Sequence, residues 1–297
     1  MQDKFTGIIA VIATPFTKDN QIDVVALRKQ VRFLIDEGQV HGIIPNGSTG
    51  EFILMSDEEQ RLVAKTVVDE VNGKVPVIVG TAAASTRETI NRTCYAQDIG
   101  ADGAMIVPSY YCHPNEDEIF NHYTEIVKAV DLPIIVYNNP STSGIDMSPE
   151  FIARLAEIDQ LTHIKESTGD MTRLALIQML CGDKIKVLCG CDTLCLEMFM
   201  MGAGGYIAPG ANIIPRQLVK LYDLAVVKKD FVSAKQLYFK LLPLFHLFEG
   251  TGQYIQLSKA GLEILGRDYG DPRKPLLPVS SETKEGLKRI LTSLELF

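Results

Sequence analysis

Basic surface is scarce in this chain. Lys and Arg number 29 against 37 Asp and Glu, a formal net charge of -8. No run of Lys or Arg is long enough to track a phosphate backbone, so no nucleic-acid partner is expected. Lys228-Lys229, the densest basic spot, falls where a helix would end and complements the helix dipole there. Long apolar runs are missing too. Nothing approaches the ~20 residues of a membrane span, so no membrane partner is expected. Residues 7–13 are apolar and follow a lysine, but the run is short for a signal peptide. Asp3 precedes it, and it enters Thr14-Pro15 with no small-residue cleavage site. The expected location is the cytoplasm. The six cysteines (Cys94, Cys112, Cys181, Cys189, Cys191 and Cys195) are too sparse for a disulfide scaffold and are expected to be reduced core thiols. Cys189-Gly190-Cys191 with Cys195 lacks zinc-ribbon spacing, and the five histidines show no paired-ligand spacing. Neither a metal nor an organic cofactor is expected.

What the chain does have is core material, with 46% hydrophobic and 22% charged residues over a length of 297. Short apolar runs recur at residues 7–16, 42–47, 75–81, 103–109, 133–138, 162–167, 185–190 and 205–210. They are rich in Val and Ile and lack polar alternation, as expected of parallel strands covered on both faces. Helical patterns lie between them. Residues 23–37 place apolar side chains at helical spacing, and Ser56-Asp57-Glu58-Glu59 is a capping box for a helix ending near Gly73. Ser85-Thr86-Arg87-Glu88 is a second such start, and Ser148-Pro149 puts Pro at a first helical position. Asp170 and Asp192 read as caps of the sixth and seventh helices. Eight strand–helix pairs in order predict an α/β fold, a (β/α)8 TIM barrel. Further helical patterns at 215–228, 231–248, 253–266 and 282–296 predict a C-terminal helical extension. No low-complexity linker intervenes. The expected organisation is a barrel over residues 1–225 with residues 226–297 packed on it as one unit.

Lys165 is a lone cation inside the sixth apolar run. Burial disfavours the charged form of a lysine, and a neutral amine attacks a carbonyl to form a Schiff base. The alternative is a lysine that snorkels to solvent or pairs with Glu166. Function in such a barrel lies at the C-terminal strand ends. There the second strand enters Asn46-Gly47-Ser48-Thr49-Gly50-Glu51, a glycine-rich turn whose exposed N–H groups suit a carboxylate or phosphate. An ordinary loop with Ser48 or Thr49 as a helix cap reads the same way. The fourth strand ends at Pro108-Ser109-Tyr110-Tyr111 and the fifth at Tyr137-Asn138-Asn139-Pro140. Three tyrosines and a lysine are therefore expected at one mouth, where tyrosine can donate the proton that carbinolamine collapse requires.

On these motifs the chain resembles the dihydrodipicolinate synthase and N-acetylneuraminate lyase superfamily of class I aldolases. One signature is Gly42-Ile43-Ile44-Pro45-Asn46-Gly47-Ser48-Thr49-Gly50-Glu51, with Glu59 downstream. The other is Tyr137-Asn138-Asn139-Pro140-Ser141-Thr142-Ser143-Gly144, leading into Ile164-Lys165-Glu166-Ser167-Thr168. With Tyr110-Tyr111 and Gly205-Tyr206-Ile207, the resemblance covers nearly the whole chain. It implies that Lys165 forms the Schiff base with a 2-oxo acid, typically pyruvate, and that Tyr137 is the general acid/base. Ser48 and Tyr111 fall where the family keeps a hydroxyl relay. In the synthases that tyrosine comes from a neighbouring subunit, which implies a homo-oligomer, dimer or tetramer. The resemblance places Ser48, Thr49, Gly50 and Ile207 around the pyruvate carboxylate and gives Glu51 a structural role. Tyr110, Asn139, Thr142 and Asp192 complete the expected substrate-binding set.

The resemblance departs at two positions. The synthases that use aspartate semialdehyde place an arginine where this chain has Thr142, and threonine supplies no cationic fork for a carboxylate. The sialic-acid lyases place an acidic residue where this chain has Thr193, after Asp192. The expected function is a lyase or aldolase acting on pyruvate or a pyruvate-derived 2-oxo acid. A dehydratase or deaminase of a 2-keto-3-deoxy acid or small cyclic imine, using the same adduct, remains open. So does a non-catalytic keto-acid-binding barrel. A sugar-phosphate barrel fits poorly, because Leu188-Cys189-Gly190-Cys191 and Ala208-Pro209 do not form a phosphate cradle.

Overall fold

Strands that lack polar alternation need apolar cover on both faces, and a barrel ringed by helices supplies it. A computed structural model describes residues 4–296 of the chain. Its strands are β1 (Gly7–Val11), β2 (Gly42–Ile44), β3 (Ile78–Gly80), β4 (Gly103–Ile106), β5 (Ile134–Asn138), β6 (Leu161–Glu166), β7 (Lys186–Cys189) and β8 (Gly205–Ala208). All pair in parallel, in the order β2-β1-β8-β7-β6-β5-β4-β3. A parallel bridge from Ile43 to Val77 joins the two edges, giving the (β/α)8 barrel.

Most strands are shorter than the apolar runs that encode them. The β1 ladder stops at Val11, yet Ile12 and Ala13 remain fully buried. Beyond the ladder the Ile12 amide still donates to the Ile44 carbonyl at 3.0 Å, and the Ala13 amide donates to Asn212 Oδ1 at 3.0 Å. The expected helix starts hold at several points. Ser56 and Glu59 form the reciprocal capping box of the helix Asp57–Val71, and Ser148 caps the helix Pro149–Leu155. Asp170 accepts from the Thr172 amide at 2.9 Å, just ahead of the helix Thr172–Cys181.

Two expectations need correction. Asp192 caps no helix. It opens a 3-10 turn, Asp192–Leu194, and its side chain turns inward to Tyr206, while the helix Cys195–Met200 starts with no side-chain cap. The cysteines are free, but they are not all core thiols. Cys112 is exposed, and Cys94 and Cys191 are half-buried.

After β8 come the helices Pro215–Tyr222, Phe231–Thr251, Tyr254–Ile264 and Ser281–Ser293. The segment following Ile264 crosses the exit of β1. There the Phe16 amide donates to the Tyr269 carbonyl at 3.0 Å, and the Tyr269 hydroxyl donates to Gln30 at 2.7 Å. Among the described residues no helix is long and apolar enough to cross a membrane.

Candidate active site

Strand parity decides the direction of Lys165. Successive side chains alternate faces along a strand, so Lys165 and Glu166 point oppositely. Glu166 faces the outer helices, where its carboxylate accepts from Asn138 Nδ2 at 3.1 Å and from the Thr168 amide at 2.8 Å. Arg173 Nε lies 3.4 Å from the same carboxylate. Glu166 is therefore committed elsewhere, and the Lys165–Glu166 pair weighed in the sequence does not form. Lys165 is only 6% exposed, so it does not snorkel to solvent either. Its Nζ lies 4.0 Å from the centre of the Tyr137 ring. The registers Tyr137↔Lys165 and Asn138↔Glu166 make this geometry a consequence of β5–β6 pairing. Behind the inward pair, an outward Asn–Glu–Arg group staples the same two strands.

The Tyr137 ring is enclosed, 6% exposed, and its hydroxyl oxygen accepts from Asn139 Nδ2 at 2.8 Å. That bond leaves the phenolic hydrogen for another acceptor. Asn139 is itself held by the Ser141 hydroxyl, which donates to Oδ1 at 2.7 Å. Pro140–Ser143 form one helical turn that ends at Gly144, where φ is 71°. A Cβ on Gly144 would come within 2.3 Å of the His113 ring, so the loop carrying Tyr110 and Tyr111 rests directly on the loop that orients Tyr137. Thr142 is exposed on this turn. Arg173, the arginine that reaches this loop, is engaged by Asp146 at 3.1 Å, by Glu166 and by the Met147 carbonyl.

The turn after β2 is a 3-10 turn, Ser48–Gly50, seated on β1's exit by the Thr14 hydroxyl, which donates to the Gly50 carbonyl at 2.8 Å. A Cβ on Gly47 would come within 2.4 Å of Val11, so only glycine brings the turn this close. The Ser48 and Thr49 amides open the turn, where no intrahelical acceptor exists. Among the described residues neither these amides nor the two hydroxyls make a hydrogen bond. Ser48 is exposed and Thr49 buried. Four donors are thus free to meet an anion.

The expected convergence of three tyrosines is only partly met. Tyr137 is inside, Tyr110 is half-buried, and Tyr111 stands 84% exposed. Ile207 is fully buried on β8, in register with Ile9. Asp192 is fully buried, and the Tyr206 hydroxyl donates to its Oδ1. Burial pushes the Asp192 carboxyl up to about 7, with Glu249 adding to the rise and Tyr206, Lys165 and Tyr254 opposing it. Glu249 approaches through Thr193, whose amide donates to it at 3.1 Å. Sequence reasoning overlooked Tyr206, although a tyrosine inside a buried strand must find a hydroxyl partner. Among the described residues no group of three or more His, Cys, Asp or Glu is placed to hold a metal ion.

Residues 4–294 match the model of the Dihydrodipicolinate synthetase family. The chain belongs to that family. It is a lyase of the class I aldolase type. A 4-hydroxy-tetrahydrodipicolinate synthase of Geobacter metallireducens is 39% identical over 98% of this chain and 99% of its own length. The synthase of the same name from Methanopyrus kandleri is 40% identical over 98% and 96%. A solved structure of the chloride-inhibited dihydrodipicolinate synthase from Acinetobacter baumannii, complexed with pyruvate, superposes with a TM-score of 0.94. It is 35% identical and covers 98% of this chain and 99% of that one.

Proposed function

We propose that the chain is a Schiff-base aldolase of pyruvate or a pyruvate-derived 2-oxo acid, with Lys165 as nucleophile. The observation that carries this reading is the enclosed Lys165 amine over Tyr137, whose hydroxyl is oriented by Asn139 and retains a proton to give. Lys165 Nζ attacks the C2 carbonyl, and Tyr137 protonates the carbinolamine hydroxyl as water leaves. Loss of a C3 proton from the iminium gives the enamine that attacks an aldehyde. In the cleavage direction the same enamine is the product of C–C scission. The free donors of Ser48 and Thr49 suit the keto-acid carboxylate, Gly50 is the last residue of that turn, and Ile207 is assigned to lie against the same carboxylate. The relatives named synthases and the pyruvate-bound neighbour support this choice of first substrate.

Tyr111 and Ser48 are the proposed proton relay. An aromatic residue this exposed, on a loop resting against the Tyr137 loop, is suited to serve a second copy of the chain, so the working form is a dimer or tetramer. Tyr110 lines the rim. Asp192 is too enclosed to meet a substrate hydroxyl while Tyr206 holds it, so we assign it to fixing Tyr206.

The exposed, uncharged turn at Thr142 offers no fork for a second carboxylate. That favours an aldehyde without one, and it also supports the second reading, loss of water or ammonia from a 2-keto-3-deoxy acid or small cyclic imine. The test is a panel of aldehydes with pyruvate, and of keto-deoxy acids and cyclic imines alone, following pyruvate and ammonia. Pyruvate consumption or release supports the aldolase. Ammonia, or a dehydrated product without pyruvate, supports the second reading, and no turnover on any member contradicts both.

A further inference from the structure

We propose that Lys259, far along the chain in the helix Tyr254–Ile264, is a positioning residue that holds the Ser48–Thr49 turn in its anion-binding shape by pairing with Glu51. The proposal rests on the reading that this turn holds the keto-acid carboxylate.

Glu51 closes the turn with φ of 62°, in the left-handed region disfavoured for any residue with a Cβ. Something outside the turn must keep it there. The turn's own bonds are few: Gly50 N to Gly47 O at 2.9 Å, and Glu51 N to Ser48 O at 3.1 Å. The Glu51 side chain is fully buried, and Lys259 Nζ, 4% exposed, lies 2.9 Å from its Oε1. The Arg273 amide donates to Oε2 at 2.8 Å. Neither charge is tolerated without the other at such depth, because removing one partner strands the second away from water.

Lys259 is fixed in turn. Its Nζ donates to the Asp271 carbonyl at 3.0 Å and lies 4.1 Å from the centre of the Phe16 ring. The Arg273 guanidinium lies 4.2 Å from that ring and binds Glu59 and the Leu54 carbonyl beyond the turn. The segment after β2 is therefore gripped at Glu51 and at Glu59 by residues that follow the barrel. If the Lys259 charge is removed, Glu51 is free to relax to negative φ, which rotates the peptide beside Gly50 and shifts the donors of Ser48 and Thr49. Lys259 touches no substrate in this scheme and acts only through Glu51.

The test uses the full chain as Lys259→Met, Glu51→Gln and the double variant, with two readouts. The first is hydrogen exchange at the Gly50 and Glu51 amides, both hydrogen-bonded in the wild type. Lys259→Met is expected to speed it at least tenfold, while amides of β5 keep their protection. The second is turnover with pyruvate. KM for pyruvate is expected to rise at least tenfold with kcat within threefold, and the double variant, in which the same pair is absent, is expected to be no worse than Lys259→Met alone. Should Lys259→Met not fold, Glu51→Gln carries the same test in the same direction, since it keeps an acceptor for the Arg273 amide. Wild-type exchange and wild-type KM in a folded variant overturn the proposal, as does a fall in kcat at unchanged KM. If the wild-type chain neither turns over nor is labelled by pyruvate, the substrate reading fails separately, and amide exchange alone decides whether Lys259 holds the turn.

Discussion

Tyr137→Phe removes one oxygen and leaves the aromatic ring in its place beside Lys165. The fold should scarcely notice. The hydroxyl makes one protein bond, from Asn139 at 2.8 Å, and Asn139 is half-buried with water at hand. Such a bond contributes about 0.5–1.5 kcal/mol net, which moves the melting temperature of a chain this long by a few degrees at most. Catalysis should suffer far more, because the carbinolamine hydroxyl would leave without its acid. General-acid removal costs ~10²–10⁴ in rate, or roughly 3–5 kcal/mol of barrier. Asn139→Ala should cost about tenfold, the value of one orienting hydrogen bond. If Asn139 acts only through that hydroxyl, the double variant is no slower than Tyr137→Phe alone. The assay is steady-state turnover of the three variants, beside the rate of borohydride-trapped adduct on Lys165. A Tyr137→Phe rate within threefold of wild type refutes the acid role. A double variant tenfold below Tyr137→Phe refutes the claim that Asn139 works through it.

Three further outcomes follow from the geometry. Because the Asp192 carboxyl is raised to about 7 in the folded chain from 3.8, the fold retains a proton that the unfolded chain has lost, so stability falls as pH rises through that window and is flat above it. Between pH 4.5 and 8 this slope amounts to roughly 3 kcal/mol; Asp192→Asn should lack it in urea denaturation, and parallel curves for the two proteins would contradict the assignment. Arg173→Met leaves Glu166, 3% exposed, without its cation, and should destabilise by about 3–5 kcal/mol; a melting temperature within two degrees of wild type, on the order of less than 1 kcal/mol, would refute this. Thr142→Arg should lower KM at least tenfold for an aldehyde bearing a carboxylate and leave a neutral aldehyde unchanged; equal effects on both would show that this turn does not face the second substrate.

Much of this architecture is legible in the sequence because a parallel strand covered on both faces leaves a long apolar run. Where each strand ends is not legible, since burial outlasts the ladder: Ile12 and Ala13 are as buried as Ile8. The direction of Lys165 follows from parity with Glu166 once β6 is placed. Asp192 misleads because an acid before a helix looks like a cap, whereas its partner Tyr206 is supplied by the neighbouring strand. The two adjacent tyrosines at 110 and 111 read as one cluster until backbone direction separates them. The grip on Glu51 is least visible, for the Arg273 amide that binds it lies 222 residues away and only the folded chain brings the two together.

Borohydride reduction in the presence of pyruvate, read by intact mass and peptide mapping, tests the central claim most directly. A single reduced pyruvyl adduct on Lys165, abolished in Lys165→Ala with the fold retained, is the predicted result. Labelling of a different lysine, or no adduct with pyruvate or any longer keto acid, would contradict the Schiff-base mechanism and leave only the barrel.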